Sequence, residues 1–286
     1  MNPNLAGFLA LIIFSVGTLL IALSRSVPTF ELLFITFLLG SLSVTLAQKL
    51  RGYDVRESWR QSTANFFFVT FGIGLYSFLL VPAFQRAPAF EANILNYLWP
   101  LLLVIFSSFV KKTLPKPLQI GGLLCGALGM VFVFMPEADQ NIFNTFNLGH
   151  ILAIGAAVVW ALYSAMAQTK TYPVGLTAPV MAFCAFLALC LHLAFEHFVW
   201  PGFEVAIAVI LLGLGRVSFA LWDYGVKNGD HVLLSSLSYF VPLLSVLLFI
   251  IFGFKPATAN VAIGGAFVVL GCVLANAHQI KKVLRR

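Results

Sequence analysis

Asn93-Ile94-Leu95-Asn96-Tyr97-Leu98-Trp99-Pro100 and, 142 residues later, Ser235-Ser236-Leu237-Ser238-Tyr239-Phe240-Val241-Pro242 are the stretches on which the fold turns. Each sets polar residues at i, i+3 and i+4 and a proline at i+7 inside an otherwise apolar run. Those positions share one face of a helix. The same offset lays Gly7 on Gly149, Gly122 on Gly264 and Gly129 on Gly271. A register that holds from the start of each half to its end marks a duplication.

The surroundings of these stretches set the class. Of 286 residues 60% are hydrophobic and 9% charged, and the mean hydropathy is +0.98. A soluble domain carries roughly a quarter of its residues charged. A helix crosses the bilayer core with about 20 apolar residues. That ruler predicts ten spans, near 5–24, 30–47, 64–84, 90–110, 117–135, 148–167, 176–195, 203–225, 232–252 and 258–278. The runs are continuous and do not alternate, which excludes a transmembrane β-barrel. The expectation is an all-α integral membrane protein with two five-helix repeats, residues 1–140 and 141–286. Five is odd, so the second repeat enters from the opposite face and the repeat is inverted, an architecture common among transporters that bind substrate at the midplane.

The net charge of +7 is spread over short loops and forms no basic module, so no nucleic-acid partner is expected. With the N-terminus inside, thirteen basic residues face the cytoplasm (Lys49, Arg51, Arg56, Arg60, Lys111, Lys112, Lys116, Lys170, Lys227, Lys281, Lys282, Arg285, Arg286) and three face outward (Arg25, Arg86, Lys255). The positive-inside bias therefore places both termini in the cytoplasm. Cys125, Cys184, Cys190 and Cys272 all fall in spans without a Cys-x-x-Cys pair and read as small buried residues. No metal set, cofactor motif or catalytic constellation is found, so an enzyme is not expected. The first apolar run lacks a basic leader and has a partner in the second half, so it reads as helix one.

Polar side chains in hydrocarbon must find partners or a watery cavity. The stripe Asn93, Asn96, Tyr97 and Pro100 and its copy Ser238, Tyr239 and Pro242 are therefore candidate cavity walls; the ordinary alternative is hydrogen-bonding glue between helices. Pro100 and Pro242 each remove an amide donor near mid-span and are candidate hinges. Tyr76, Trp99, Trp160, Tyr163 and Trp222 place aromatic rings with polar tips where the repeat predicts a cavity, suited to an apolar side chain and to an ammonium group; Tyr76, Trp99 and Trp160 lie too deep to be interfacial residues, the alternative that stays open for Trp222. The 29 Phe are expected mostly to face lipid or pack and are given no weight. Arg216 is the basic residue nearest the middle of a span, where a charge faces a cavity or a partner. Two roles are open to it: pairing with Asp223, two turns on, or holding a substrate carboxylate. Glu31 and Glu91 are expected to be solvated at helix ends. The glycines of spans five and ten permit close helix packing, here assigned within the monomer.

Asn96-Tyr97-Leu98-Trp99-Pro100 with Ser238-Tyr239-Phe240-Val241-Pro242, together with Trp160–Tyr163, Trp222-Asp223-Tyr224-Gly225 and the paired glycine segments, resembles the EamA-type drug/metabolite transporters. The Asn-Tyr-Leu-Trp-Pro run is similar to that of the YddG-type exporters of aromatic and neutral amino acids. The resemblance covers essentially the whole chain. It implies a multi-pass inner-membrane exporter of neutral and aromatic amino acids, working by alternating access around a central cavity, with a small-molecule substrate and the lipid bilayer as partners. Arg216 has no counterpart in that pattern. The alternatives are another small polar metabolite on the same fold (nucleotide sugar, organic phosphate or drug) and a non-transporting receptor or scaffold. A dianion calls for more than one buried cation, and a lipophilic-cation exporter for an acid in helix one, which offers Ser15 and Thr18 instead.

Overall fold

The computed structural model describes residues 1–110, 112, 116–134, 146–229, 233–234, 237–238, 240–254 and 259–284. Among these residues the only regular structure is helical, and there is no strand. The elements are α1 (Pro3–Leu23), α2 (Thr29–Leu50), α3 (Thr63–Arg86), α4 (Ala89–Val110), α5 (Pro117–Phe134), α6 (Leu148–Ala167), α7 (Val174–Phe195), α8 (Phe203–Asn228), α9 (Phe240–Ile251) and α10 (Ala259–Leu284). Seven of them, α1 to α4 and α6 to α8, are long and apolar enough to cross a membrane. Their outward faces carry residues such as Leu42, Phe67, Phe186, Leu193 and Phe203, all largely exposed. So much exposed apolar surface is stable only where the solvent is lipid. The protein is a multi-pass membrane protein.

Helix ends are set by local chemistry. Asn2 caps α1, its side-chain oxygen accepting from the Asn4 amide at 2.9 Å, with Pro3 at the first helical position. Asn147 and His150 close a reciprocal capping box on α6. The start of α2 is capped from a distance: the Glu196 carboxylate, just past α7, accepts from the amides of Phe30 (3.0 Å) and Glu31 (3.2 Å). A carboxylate there meets both the orphan amides and the positive end of the helix dipole. Glu31 returns the contact by accepting from the Val199 amide at 2.9 Å. Glu31 is buried, and Glu91 is paired with His150 at 2.9 Å. The expectation that both are simply solvated is corrected, because each satisfies a donor that lipid and protein would otherwise strand.

The helices pack in pairs: α1 on α8, α3 on α6, α2 on α7, and α5 on α10. Glycines set the closest approaches. A Cβ at Gly122 would fall on the backbone of Gly271 and Ala275, and one at Gly129 on the backbone of Gly264 and Val268. At Gly225 the obstacle is the backbone of Gly7. The glycine-bearing helices thus pack on one another within the chain. Of the cysteines, Cys184 is buried, Cys125 half-buried and Cys190 exposed; the expectation of burial fails for Cys190, which sits on the lipid side of α7, and the Cys272 side chain lies outside the described residues.

Near the end of α8 a carboxylate is enclosed by donors. Asp223 accepts from Lys227 Nζ (2.9 Å), from the Tyr172 hydroxyl (2.8 Å) and from the Tyr163 hydroxyl (3.2 Å). Lys227 also donates to the Tyr172 carbonyl at 3.3 Å. Burial, and then the Asp223 carboxylate, raise the Tyr172 phenol above its ordinary value, so it stays a neutral donor. The cluster ties α6, the 168–173 connection and α8 together. The possible pairing of Arg216 with Asp223 is not formed: the lysine one turn away and two phenols already satisfy the carboxylate.

Two outcomes follow from this packing. Gly122→Val should lower the melting temperature in detergent, costing about 1–3 kcal/mol by overpacking, whereas Gly121→Val, whose Cβ meets nothing within 4 Å, should not. Equal effects in the two variants would refute the close α5–α10 approach. Lys227→Ala should destabilise by about 3–5 kcal/mol by stranding a buried carboxylate. Adding Asp223→Asn should recover most of that loss; additive losses in the double-mutant cycle would show that the pair is not coupled.

Candidate functional site

Helices α1, α3, α4, α6 and α8 surround a cavity of about 310 Å³. Three of them lose regular geometry beside it. In α3 the segment Thr70–Leu75 is a π-helix, ending at Tyr76; such bulges re-aim the residues that follow. In α4 the helix halts after Asn96 and resumes at Trp99, with the Leu98 amide reaching back three residues to Leu95 at 3.2 Å. Pro100 is the cause, because it has no amide to meet the Asn96 carbonyl. In α8 the helix breaks at Arg216, whose amide bonds to the Gly213 carbonyl at 3.2 Å. The apolar runs predicted continuous spans at 64–84, 90–110 and 203–225; only the proline hinted at any of these breaks.

The walls are mostly aromatic. Trp160 is the hub, with ring centroids 5.0 Å from Tyr76, 5.4 Å from Phe219 and 5.6 Å from Phe14. Trp99 lies edge-on to Trp222 at 5.7 Å. The polar groups reaching the cavity include Asn96, Tyr97, Thr18, Ser77, Ser218 and Arg216. Arg216 is 5% exposed. Its Nη1 donates to Ser77 Oγ at 3.0 Å, and its guanidinium lies 3.9 Å from the centroid of the Phe37 ring and 5.9 Å from that of Phe219. Nε has no partner. Among the described residues no carboxylate lies within ion-pair distance of it. Gly40 makes room for this arginine, since a Cβ there would press on Arg216 Cβ at 2.7 Å.

Of the residues singled out from the sequence, Tyr76, Asn96, Tyr97, Trp99, Trp160 and Arg216 line the cavity together. The others do not. Asn93 donates to Ser245 Oγ at 2.8 Å, and Ser245 is 3.0 Å from the Thr18 hydroxyl; this chain glues α4, α9 and α1. Tyr163 points to Asp223 and Tyr172, in a space opened by Gly72, where a Cβ would collide with the Tyr163 ring. Trp222 donates to Ser164 at 3.2 Å and backs the Trp99 ring. Ser238 is buried away from the cavity, and Pro242 lines a separate hollow of about 40 Å³ with Tyr97. Tyr239 lies outside the described residues. One polar stripe thus splits into glue and wall, because a helix face broad enough to hold four residues meets two different neighbours.

Sequence patterning does not single out Phe14, Phe219 or Ser77. Phe14 and Phe219 pack against the core and also form part of the cavity wall. Their positions carry no sequence signal, as Phe is common on every face of these helices. Ser77 is signalled only by following Tyr76.

The sequence profile of the EamA-like transporter family matches residues 1–135 and again 147–277. A curated relative, the aromatic amino acid exporter YddG of Ancylobacter novellus, is 34% identical over 282 residues, covering 96% of this chain and 97% of its own. The protein of the same name from Salmonella typhimurium is 28% identical over 204 residues, 67% of this chain and 68% of that one. A solved crystal structure superposes with a TM-score of 0.77 at 31% identity, covering 98% of each chain. A family profile that accounts for both halves and a relative aligned nearly end to end agree with the helical membrane architecture: the chain belongs to the EamA-like transporter family.

Proposed function

We propose that this protein exports aromatic and neutral amino acids across the inner membrane by alternating access. The observation that carries the reading is the aromatic cavity with a polar end, enclosed by helices from both halves of a chain related over nearly its full length to an aromatic amino acid exporter. Tyr76, Trp99, Trp160, Phe14 and Phe219 would surround the side chain. Pro100, at the break in α4, and Pro242 would be the hinges. No step of this kind needs a cofactor or a covalent intermediate, so the protein acts as a carrier and not as an enzyme.

The transport reading brings a topology with it: ten spans in two inverted repeats, 1–140 and 141–286, both termini cytoplasmic, the monomer sufficient. Its support is the double match of the family profile and the helix pairing. Exchanging the two halves turns the α1–α8 contact into α6–α3 and leaves α2–α7 and α5–α10 unchanged. A two-fold axis in the membrane plane requires that pattern. An organic phosphate or nucleotide sugar fits less well, because Arg216 is the one charged side chain lining the cavity among the described residues.

Purified protein in liposomes should take up labelled phenylalanine, methionine and threonine; a monodisperse, folded preparation that moves none of them would end this reading. Trp160→Ala should raise KM for phenylalanine about tenfold, the loss expected from about 1.4 kcal/mol of ring contact. Threonine should change far less, and Trp160→Phe should restore most of the phenylalanine affinity.

A further inference from the structure

The cavity has two chemically opposite poles. One is Arg216. A cation buried in the middle of a membrane protein costs several kcal/mol unless it is compensated, and its present partners are a hydroxyl and two ring faces. Because Phe37 covers the plane of the guanidinium and Ser77 takes Nη1, the edge formed by Nε and Nη2 is left for a further acceptor. That is the edge that meets a carboxylate side-on with two parallel hydrogen bonds. The other pole is Asn96. Its Nδ2 donates to the Tyr76 hydroxyl at 3.4 Å, which leaves Oδ1 buried without a partner. Pro100 also withholds the amide that the Asn96 carbonyl would ordinarily meet. Residue 96, which lines the cavity with Tyr76 and Trp160, therefore supplies an unpartnered oxygen and no anion, surroundings that suit an ammonium group.

Helix α3 holds the poles in register. Ser77 touches Arg216 and Tyr76 touches Asn96, and these two neighbours in sequence follow directly on the π-helical segment. Resting on the amino acid reading above, we propose that Arg216 is the specificity-determining residue of the cavity: it takes the substrate carboxylate, while Asn96 Oδ1 and the aromatic faces take the ammonium group. The two poles are unequal. The carboxylate meets a full, otherwise uncompensated charge, and the ammonium meets neutral dipoles. Selection therefore falls on the acid end. An aromatic acid lacking the amine is accepted, and an aromatic amine lacking the carboxylate is refused, since it would add a second cation beside the first.

The test compares phenylalanine, 3-phenylpropionate and phenethylamine as competitors of labelled phenylalanine uptake and as ligands in thermal-shift titrations of the purified protein. Wild type should bind phenylalanine and phenylpropionate and discriminate against phenethylamine. Arg216→Gln should weaken both acids about thirtyfold or more, the scale of losing one partner of a buried charge pair, and leave the amine unchanged or improved. Arg216→Lys should restore part of the loss. Asn96→Leu should narrow the preference for phenylalanine over phenylpropionate. If wild type binds the amine as well as the acids, or if folded Arg216→Gln keeps the discrimination, the proposal is overturned. The wild-type comparison needs no variant to fold. Absence of phenylalanine uptake with acid-selective binding intact would instead count against the exporter reading and leave the anchor standing.

Discussion

In a bilayer there is no solvent to meet a stranded hydrogen-bonding group, and that constraint organises this protein from its helix caps to its cavity. It makes every membrane-crossing segment of the described residues helical, so that amides and carbonyls are met within each segment. It also explains the distant caps. Glu196 closes the start of α2, and Glu31 answers by holding the Val199 amide. The same need gathers Asp223, Lys227, Tyr163 and Tyr172 into one cluster. Of the buried polar atoms left without a partner, Asn96 Oδ1, the Tyr97 hydroxyl and Arg216 Nε belong to residues that line the cavity, where a ligand can supply what lipid cannot; Glu31 Oε1, Gln48 Oε1 and Asn93 Oδ1 lie elsewhere.

The breaks in α3, α4 and α8 belong to the same logic. A regular helix buries its own polar backbone and offers a binding site only side chains. A π-turn, a proline and a one-residue interruption each free or redirect backbone at one level, and they adjoin Tyr76, Asn96 and Arg216. Irregular backbone is tolerated at membrane depth when it lines a cavity. The paired glycine contacts of α5 and α10 lie outside this ring of broken helices. The three irregular helices thus share the site with the unbroken α1 and α6, and the closest glycine contacts lie apart from it.

Part of the cavity is legible in the sequence. Tyr76, Asn96, Tyr97, Trp99, Trp160 and Arg216 stand out because a polar or amphipathic residue deep in an apolar span needs a reason to be there. The same rule names Asn93, Tyr163 and Trp222, whose reason is Ser245, Asp223 with Tyr172, and Ser164. Periodicity identifies a face, and what lies opposite that face is a property of other helices. Phe14 and Phe219 show the converse: a ring that lines a cavity and a ring that faces lipid are the same residue on the same kind of helix.

By itself, then, the sequence determined the membrane class, the all-helical character of the described residues and the membership of the family, because hydropathy and motif are written along one dimension. Only the tertiary structure decided which polar residues are glue and which are wall, that Asp223 belongs to Lys227 and not to Arg216, and that Arg216 lines the cavity, stacked on Phe37, with Nε unpartnered. Those outcomes depend on which neighbours compete for the same few donors and acceptors. In a medium that offers none of its own, the competition is settled by distances of an ångström or two between helices far apart in the chain.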